Sequence, residues 1–146
     1  ELSAVTAACM MLRKDVFEGV GGFREELAVA FNDIDLCMKV RASGKLVIYD
    51  PYVSFHHYES KSRGLEDTPE KVARFNGEIA TFAHYWGAIL EHGDPYYNTN
   101  LTLRKANFAL RDLTKEKPGE PYKLELDVEK QLATVLKEKA RRGLKD

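Results

Sequence analysis

Phe31-Asn32-Asp33-Ile34-Asp35-Leu36-Cys37 sets two carboxylates two residues apart, just where an apolar pattern of helical period begins. Asn32 is a good helix N-cap, and Asp35 stands three residues on, where it can reach back as in a capping box, with Asp in place of Glu. Ile34, Leu36, Cys37 and Val40 supply the apolar side, with Lys39 and Arg41 outside, and Gly44 ends the helix. Behind it, residues 45–50 read as a strand that Pro51 breaks, and residues 53–57 as a second extended piece carrying His56 and His57. Ahead of it, residues 3–12 are small and apolar without interruption, which suits a strand buried on both faces or a buried helix. Residues 13–20 predict a short helix. Gly21-Gly22 stops it, since glycine tolerates the left-handed backbone found at helix C-termini, and Phe23 follows as an anchor.

Downstream, residues 59–67 read as a surface loop, and Thr68-Pro69-Glu70 marks a new helix start: a cap hydroxyl, proline at the first helical position, acid in the first turn. Val72, Phe75, Ile79, Phe82, Trp86 and Ile89 then recur at spacings of three and four, the clearest amphipathic helix in the chain, closed by His92-Gly93. Asp94-Pro95-Tyr96-Tyr97-Asn98 is a turn-rich aromatic segment, with weak extended pieces at 101–103 and 108–110. Pro118-Gly119-Glu120-Pro121 divides the chain into residues 1–117 and a tail of residues 118–146. In that tail Val128, Leu132, Val135 and Leu136 outline a last amphipathic helix.

A length of 146 residues suffices for one domain with a real core and argues against two. The formal net charge of −1 gives no global basic field to attract nucleic acid or an anionic membrane. No apolar run approaches the roughly 20 residues needed to span a bilayer, and no secretory leader pattern is present. Cys9 and Cys37 lie in apolar surroundings without metal-binding spacing, which predicts two buried thiols in a reducing compartment. A start at Glu1-Leu2-Ser3, without methionine, suggests a piece of a longer polypeptide.

Asp33 and Asp35 admit two readings. In the first, both stabilise a helix N-terminus, where a negative charge is favoured by about 0.3–1 kcal/mol. In the second, one is a general base beside a cleft formed by the Gly21-Gly22 turn. The two lie about 200° apart on a helical wheel, so one can face a cleft while the other caps or pairs with a cation such as Arg41. A helix N-terminus weakens a carboxylate as a base, so proton transfer would be late and concerted with bond formation. His56 and His57 alternate faces in an extended segment, so at most one points at a given site, and Glu59 could orient His57. The chain cannot assemble a full metal site by itself. Gly21-Gly22 lacks the framework of a phosphate-binding loop. Trp86 and the phenylalanines read as core, and Tyr96-Tyr97 either stack on a sugar ring or pack under the C-terminal segment.

The succession Ala7-Ala8-Cys9-Met10-Met11-Leu12-Arg13-Lys14, Val16-Phe17, Val20-Gly21-Gly22-Phe23, Asn32-Asp33-Ile34-Asp35-Leu36-Cys37, Gly44, Tyr49-Asp50-Pro51 and His56 resembles the C-terminal half of family 2 glycosyltransferases. His57-Tyr58-Glu59-Ser60, Ser62-Arg63-Gly64, Arg74-Phe75, Trp86-Gly87 and Asp94-Pro95-Tyr96-Tyr97-Asn98 look like a bacterial subgroup associated with O-antigen, rhamnose-containing and other surface polysaccharides. The resemblance covers about residues 3–110. It implies an α/β class (α+β as a fragment), the acceptor-side half of a GT-A fold, with a few short strands packed with helices. It implies Asp33 as the catalytic base of an inverting transfer from a nucleotide-sugar donor to a glycan acceptor hydroxyl, with Asn32 replacing the acid of the family's usual Glu-Asp pair. It also implies Gly21, Gly22 and Phe23 as lining of the acceptor cleft, His56 as a contributor to a Mg²⁺ or Mn²⁺ site in the full-length enzyme, and Asp35, His57 and Glu59 as support.

The family's N-terminal half, with its nucleotide-binding strands and Asp-x-Asp metal motif, is absent; Asp33-Ile34-Asp35 falls in the acceptor-side helix instead. A fragment of this kind is expected to hold no metal, to be inactive alone, and to self-associate through exposed strand edges or the C-terminal helix. The expected setting is cytoplasmic, at the inner face of the membrane, without nucleic acid. The alternative is a non-catalytic binding or assembly module derived from the same scaffold.

Overall fold

The computed structural model of the chain describes residues 1–57, 65–105, 107–118 and 126–143. Its elements are a 3-10 turn at Ala7–Cys9 and four α-helices: α1 (Lys14–Gly19), α2 (Asn32–Ala42), α3 (Pro69–His92) and α4 (Val128–Arg141). Helix α2 is the centre of the fold. Leu36 and Val40 pack with Val16 of α1 and with Met10, Leu12, Phe17 and Val20 around it. On another side of the same helix, Met38 packs with Leu27 and Phe82, flanked by Phe31, Ile34 and Trp86. Asp35, Leu36, Cys37, Met38 and Val40 are all buried, so α2 has no single apolar stripe; it is enclosed on two sides.

Helix α3 begins as the sequence indicates. The Thr68 hydroxyl accepts from the Lys71 amide at 3.4 Å, Pro69 opens the first turn, and the helix ends at Gly93 in a left-handed φ of 78°. Val72 and Phe82 are buried, while Ile89, at the far end of the same stripe, is 40% exposed.

The expected strands are where the structure differs. Among the described residues the only β-pairing is two isolated antiparallel bridges, Leu2 with Val47 and Leu101 with Leu110. Residues 3–12 do not form a strand: the backbone is extended at Thr6 and Met10, but the 3-10 turn between them interrupts it. The physical reason is pairing. Among the described residues, the Leu2 amide on the Val47 carbonyl at 3.0 Å is the only backbone bond that joins residues 45–50 to residues 2–12. Leu46, Ile48 and Tyr49 stay exposed, and only Val47 of that segment is buried. Cys9 is exposed within the 3-10 turn and only Cys37 is buried, so the expectation of two buried thiols is corrected. Burial pushes the Cys37 thiol up from its usual pKa, in spite of the Val5 carbonyl that accepts from it at 3.7 Å.

Helix α4 packs against α3. Asp127 caps it by accepting from the Lys130 amide at 3.0 Å. Lys139 reaches Asp67 at 2.8 Å, Lys71 meets the same carboxylate at 2.8 Å, and Asn76 donates to the Leu126 carbonyl at 3.0 Å. The hydrogen bonds from Lys139 and then Lys71 hold the Asp67 carboxyl well below the usual carboxylate range. A lowered folded-state pKa means that the contribution is complete above the unfolded value near 3.9 and is lost as pH falls below it. Acidification from pH 6 to pH 3 should therefore speed amide exchange in α4, after correction for intrinsic rates, before α3 loses protection. Equal protection of both helices at pH 3 would show that Asp67 does not secure α4. Of the proposed linker Pro118-Gly119-Glu120-Pro121, only Pro118 is among the described residues.

Candidate functional site

The N-terminus of α2 is built by packing at a distance. Phe31, not Asn32, is the N-cap; it holds a left-handed φ of 63° and makes no side-chain cap bond. A non-glycine residue there costs about 1–2 kcal/mol. Its ring stacks on Phe75 at 5.5 Å and on Phe82 at 5.4 Å, contacts worth about 0.5–1.5 kcal/mol each beyond their burial, so packing outweighs strain. Asn32 becomes the first helical residue and is half-buried.

The turn ahead of Phe31 is held by Glu78, a buried carboxylate on α3 that accepts from the Val29 amide at 3.1 Å and the Ala30 amide at 2.9 Å. Glu78 was not singled out from sequence, although the signal was present. It lies three residues after Phe75 and four before Phe82, on the apolar face, where an unpaired acid would be costly.

The two aspartates separate as the helical wheel indicates. Asp33 is half-buried, accepting from the Ala7 amide at 3.0 Å and from its neighbour Ile34 at 2.9 Å. A carboxylate offers about four acceptor positions, so these two bonds leave room for an incoming hydroxyl. Asp35 is fully buried and is not a capping-box residue. Its Oδ1 accepts from Trp86 Nε1 at 2.9 Å and Arg24 Nε at 3.2 Å, and Lys39 Nζ stands 3.2 Å from Oδ2. The pairing cations are thus Arg24 and Lys39. Arg41 instead donates to Ser3 at 3.0 Å and lies 5.3 Å from the Tyr96 ring. Trp86 belongs to the core, as expected, but its indole N–H also serves the buried acid.

Gly21 and Gly22 have φ of 78° and 59°, as a turn that stops α1 requires. A Cβ on Gly22 would meet the Phe17 ring at 3.1 Å, and Phe23 packs edge-on to that ring at 5.5 Å while remaining 48% exposed. Lys39 Nζ donates to the Gly22 carbonyl at 2.5 Å, tying this turn to α2.

Of three cavities that open beside α2 among the described residues, two are larger than the one of about 570 Å³ over Met38, Arg41 and Ala42. One, of about 680 Å³, is lined by Ile34, Met38, Ile89, Asp94, Tyr96 and Tyr97 among others. The other, of about 670 Å³, is apolar and runs between the 2–12 and 46–55 segments over Leu36, Cys37 and Val40. His56 and His57 follow the second of those segments and are exposed, and Glu59 lies outside the described residues. Among the described residues no three His, Cys, Asp or Glu side chains gather closely enough to hold a metal ion. His56 belongs to no such group among the described residues. Nor, among the described residues, is any helix long and apolar enough to cross a membrane.

The chain is 50% identical over 109 residues to the uncharacterized protein y4gI of Sinorhizobium fredii, a match covering 74% of the chain and 12% of that protein. It is 37% identical over 108 residues to the O-antigen biosynthesis protein RfbC of Myxococcus xanthus, covering 74% of the chain and 8% of the relative. It is 28% identical over 69 residues to an N-acetylglucosaminyl-diphospho-decaprenol L-rhamnosyltransferase of Mycobacterium tuberculosis, covering 47% of the chain and 22% of that enzyme. The chain therefore spans about a tenth of the length of the first two curated relatives. No family model matches it, and no solved structure does. Two of these relatives, one named for O-antigen biosynthesis and one named as a rhamnosyltransferase, suggest a glycosyltransferase relationship for the chain.

Proposed function

We propose that this chain is the acceptor-side part of an inverting glycosyltransferase domain of family 2 and GT-A type, acting in bacterial surface polysaccharide synthesis at the cytoplasmic face of the membrane. One observation carries the reading: at the start of α2, one acid, Asp35, is fully buried and paired with Arg24, Lys39 and Trp86, while the other, Asp33, is anchored and only half-buried. That division suits a base. Asp33 would take the proton of a glycan hydroxyl as its oxygen bonds to the anomeric carbon of a nucleotide sugar. The bond from that carbon to the nucleoside diphosphate breaks on the opposite side, giving inverted configuration. Gly21, Gly22 and Phe23 would line the acceptor side, with Asn32 beside the base. A Mg²⁺ or Mn²⁺ ion, if the intact protein uses one, would draw most of its ligands from outside the described residues.

In this reading residues 1–117 belong to the transferase domain, and residues 118–146 form a linker and appended helix. The apolar cavity and exposed Leu46, Ile48, Tyr49, Val53 and Phe55 favour further polypeptide, or a second copy, packing on this face. They equally favour the second reading, a non-catalytic assembly module that binds through this face.

Incubation with nucleotide sugars and an acceptor glycan separates the readings. The 146-residue chain alone is expected to turn over no donor, and the intact protein carrying it to transfer sugar with inversion. Turnover by the isolated chain would refute the half-site reading. Glycan binding without transfer by the intact protein would favour the module.

A further inference from the structure

We infer that Lys39 is a positioning residue that fixes the Gly21–Phe23 turn against the Asp33 end of α2, and so sets how an acceptor sugar meets the base. The inference rests on the glycosyltransferase reading. Lys39 sits in the last turn of α2, where an exposed cation would ordinarily interact only with the helix C-terminus. Its side chain is instead 16% exposed and turns back toward the helix start. There it makes two contacts at once, donating to the Gly22 carbonyl at 2.5 Å and standing 3.2 Å from Asp35 Oδ2.

Asp35 is itself locked by Trp86 of α3 and by Arg24, which immediately follows Phe23 and lies 3.5 Å from the Tyr85 ring centroid. The turn is therefore held by Lys39 at Gly22, by Arg24 just past Phe23, and by the Phe17 ring beneath it. Two cations converge on one buried acid, and each also reaches the turn or its flank. A carboxylate placed only to stabilise the helix start would need neither. Asp33 lies two residues from Asp35 on the same rigid helix, so the cluster links the proposed base to the proposed acceptor lining through a fixed separation. Such a device acts on acceptor orientation rather than on donor activation.

The test uses the intact protein, with donor hydrolysis to water and transfer to acceptor glycan measured separately. Lys39→Met should raise the acceptor KM at least tenfold, leave donor hydrolysis within twofold, and be largely restored by Lys39→Arg, which can reach both partners. An unchanged acceptor KM, or equal loss in both reactions, would overturn the inference. If Lys39→Met fails to fold because Asp35 loses a cation, Lys39→Gln keeps a hydrogen-bond donor for Asp35 at i,i+4 spacing but ends one atom short of the Gly22 carbonyl. It should show the same KM defect, and a normal KM would likewise overturn the inference. Amide exchange reads the positioning without any activity. Lys39→Met should speed exchange at Gly22, whose N–H donates to the Phe17 carbonyl at 2.8 Å, at least tenfold while α3 is unchanged. No change at Gly22 overturns the inference even if transfer is observed. Faster exchange at Gly22 in a protein that transfers no sugar would instead sink the glycosyltransferase reading and leave the anchoring contact standing.

Discussion

Replacing Asp35 by alanine is expected to lower the unfolding free energy by about 3–5 kcal/mol, the range for removing one partner of a buried ion pair. The loss comes from what remains behind. Arg24 and Lys39 keep their charges in a site where the side chain of Asp35 is 0% exposed, and the Trp86 indole N–H loses its acceptor. For a chain of this size about 2–4 °C of melting temperature accompanies each kcal/mol, so the midpoint should fall by roughly 10 °C. Asp35→Asn keeps the shape and an acceptor for Trp86 and Arg24, and should lose about half as much. A merely helix-stabilising acid would lose no more than about 1 kcal/mol in either variant. The experiment is denaturant unfolding followed by the fluorescence of Trp86, the only tryptophan. A loss below 1 kcal/mol for the alanine variant would mean that the cluster does not hold the fold.

What was legible in the sequence was what short-range chemistry decides. The start of α3 is written in Thr68-Pro69-Glu70, and the end of α1 in Gly21-Gly22, because a cap hydroxyl, a ring-locked φ and left-handed backbone act within a few residues. That Asp33 and Asp35 face different sides of α2 was legible too, since it follows from helical geometry alone; which of them pairs with cations was not. The start of α2 was not, because Phe31 is driven into left-handed backbone by rings that lie 44 and 51 residues further along the chain, Phe75 and Phe82. Nor were the partners of Asp35, which Arg24 and Trp86 bring from elements distant in sequence. Residues 3–12 and 45–50 carry strand-like patterns, but a strand also needs a neighbour, and the described residues supply one at Leu2 and Val47 only. Pattern reports which residues suit a sheet, not whether the sheet is present.

Asp33→Asn in the intact protein should lower sugar transfer by about 10²–10⁴-fold, the usual contribution of a general base, with the fold unchanged. The asparagine carbonyl can still accept from the Ala7 amide, which the native carboxylate does at 3.0 Å, so the 3-10 turn keeps its tether to α2. What the amide cannot do is accept a proton from the attacking hydroxyl. Initial rates with saturating donor and acceptor, beside a melting curve, separate the two consequences. Near-normal transfer would remove Asp33 from the base role whatever else the intact protein does. Loss of transfer accompanied by a melting shift of several degrees would assign the effect to the Ala7 tether instead. The contrast with Asp35 is the sharper test, because the two residues belong to one helical turn and carry the same group. If burial rather than sequence motif determines their roles, Asp33→Asn should impair chemistry without unfolding the chain. Asp35→Asn should shift unfolding first, and reduce transfer only as far as α2 and the Gly22 turn lose their registration.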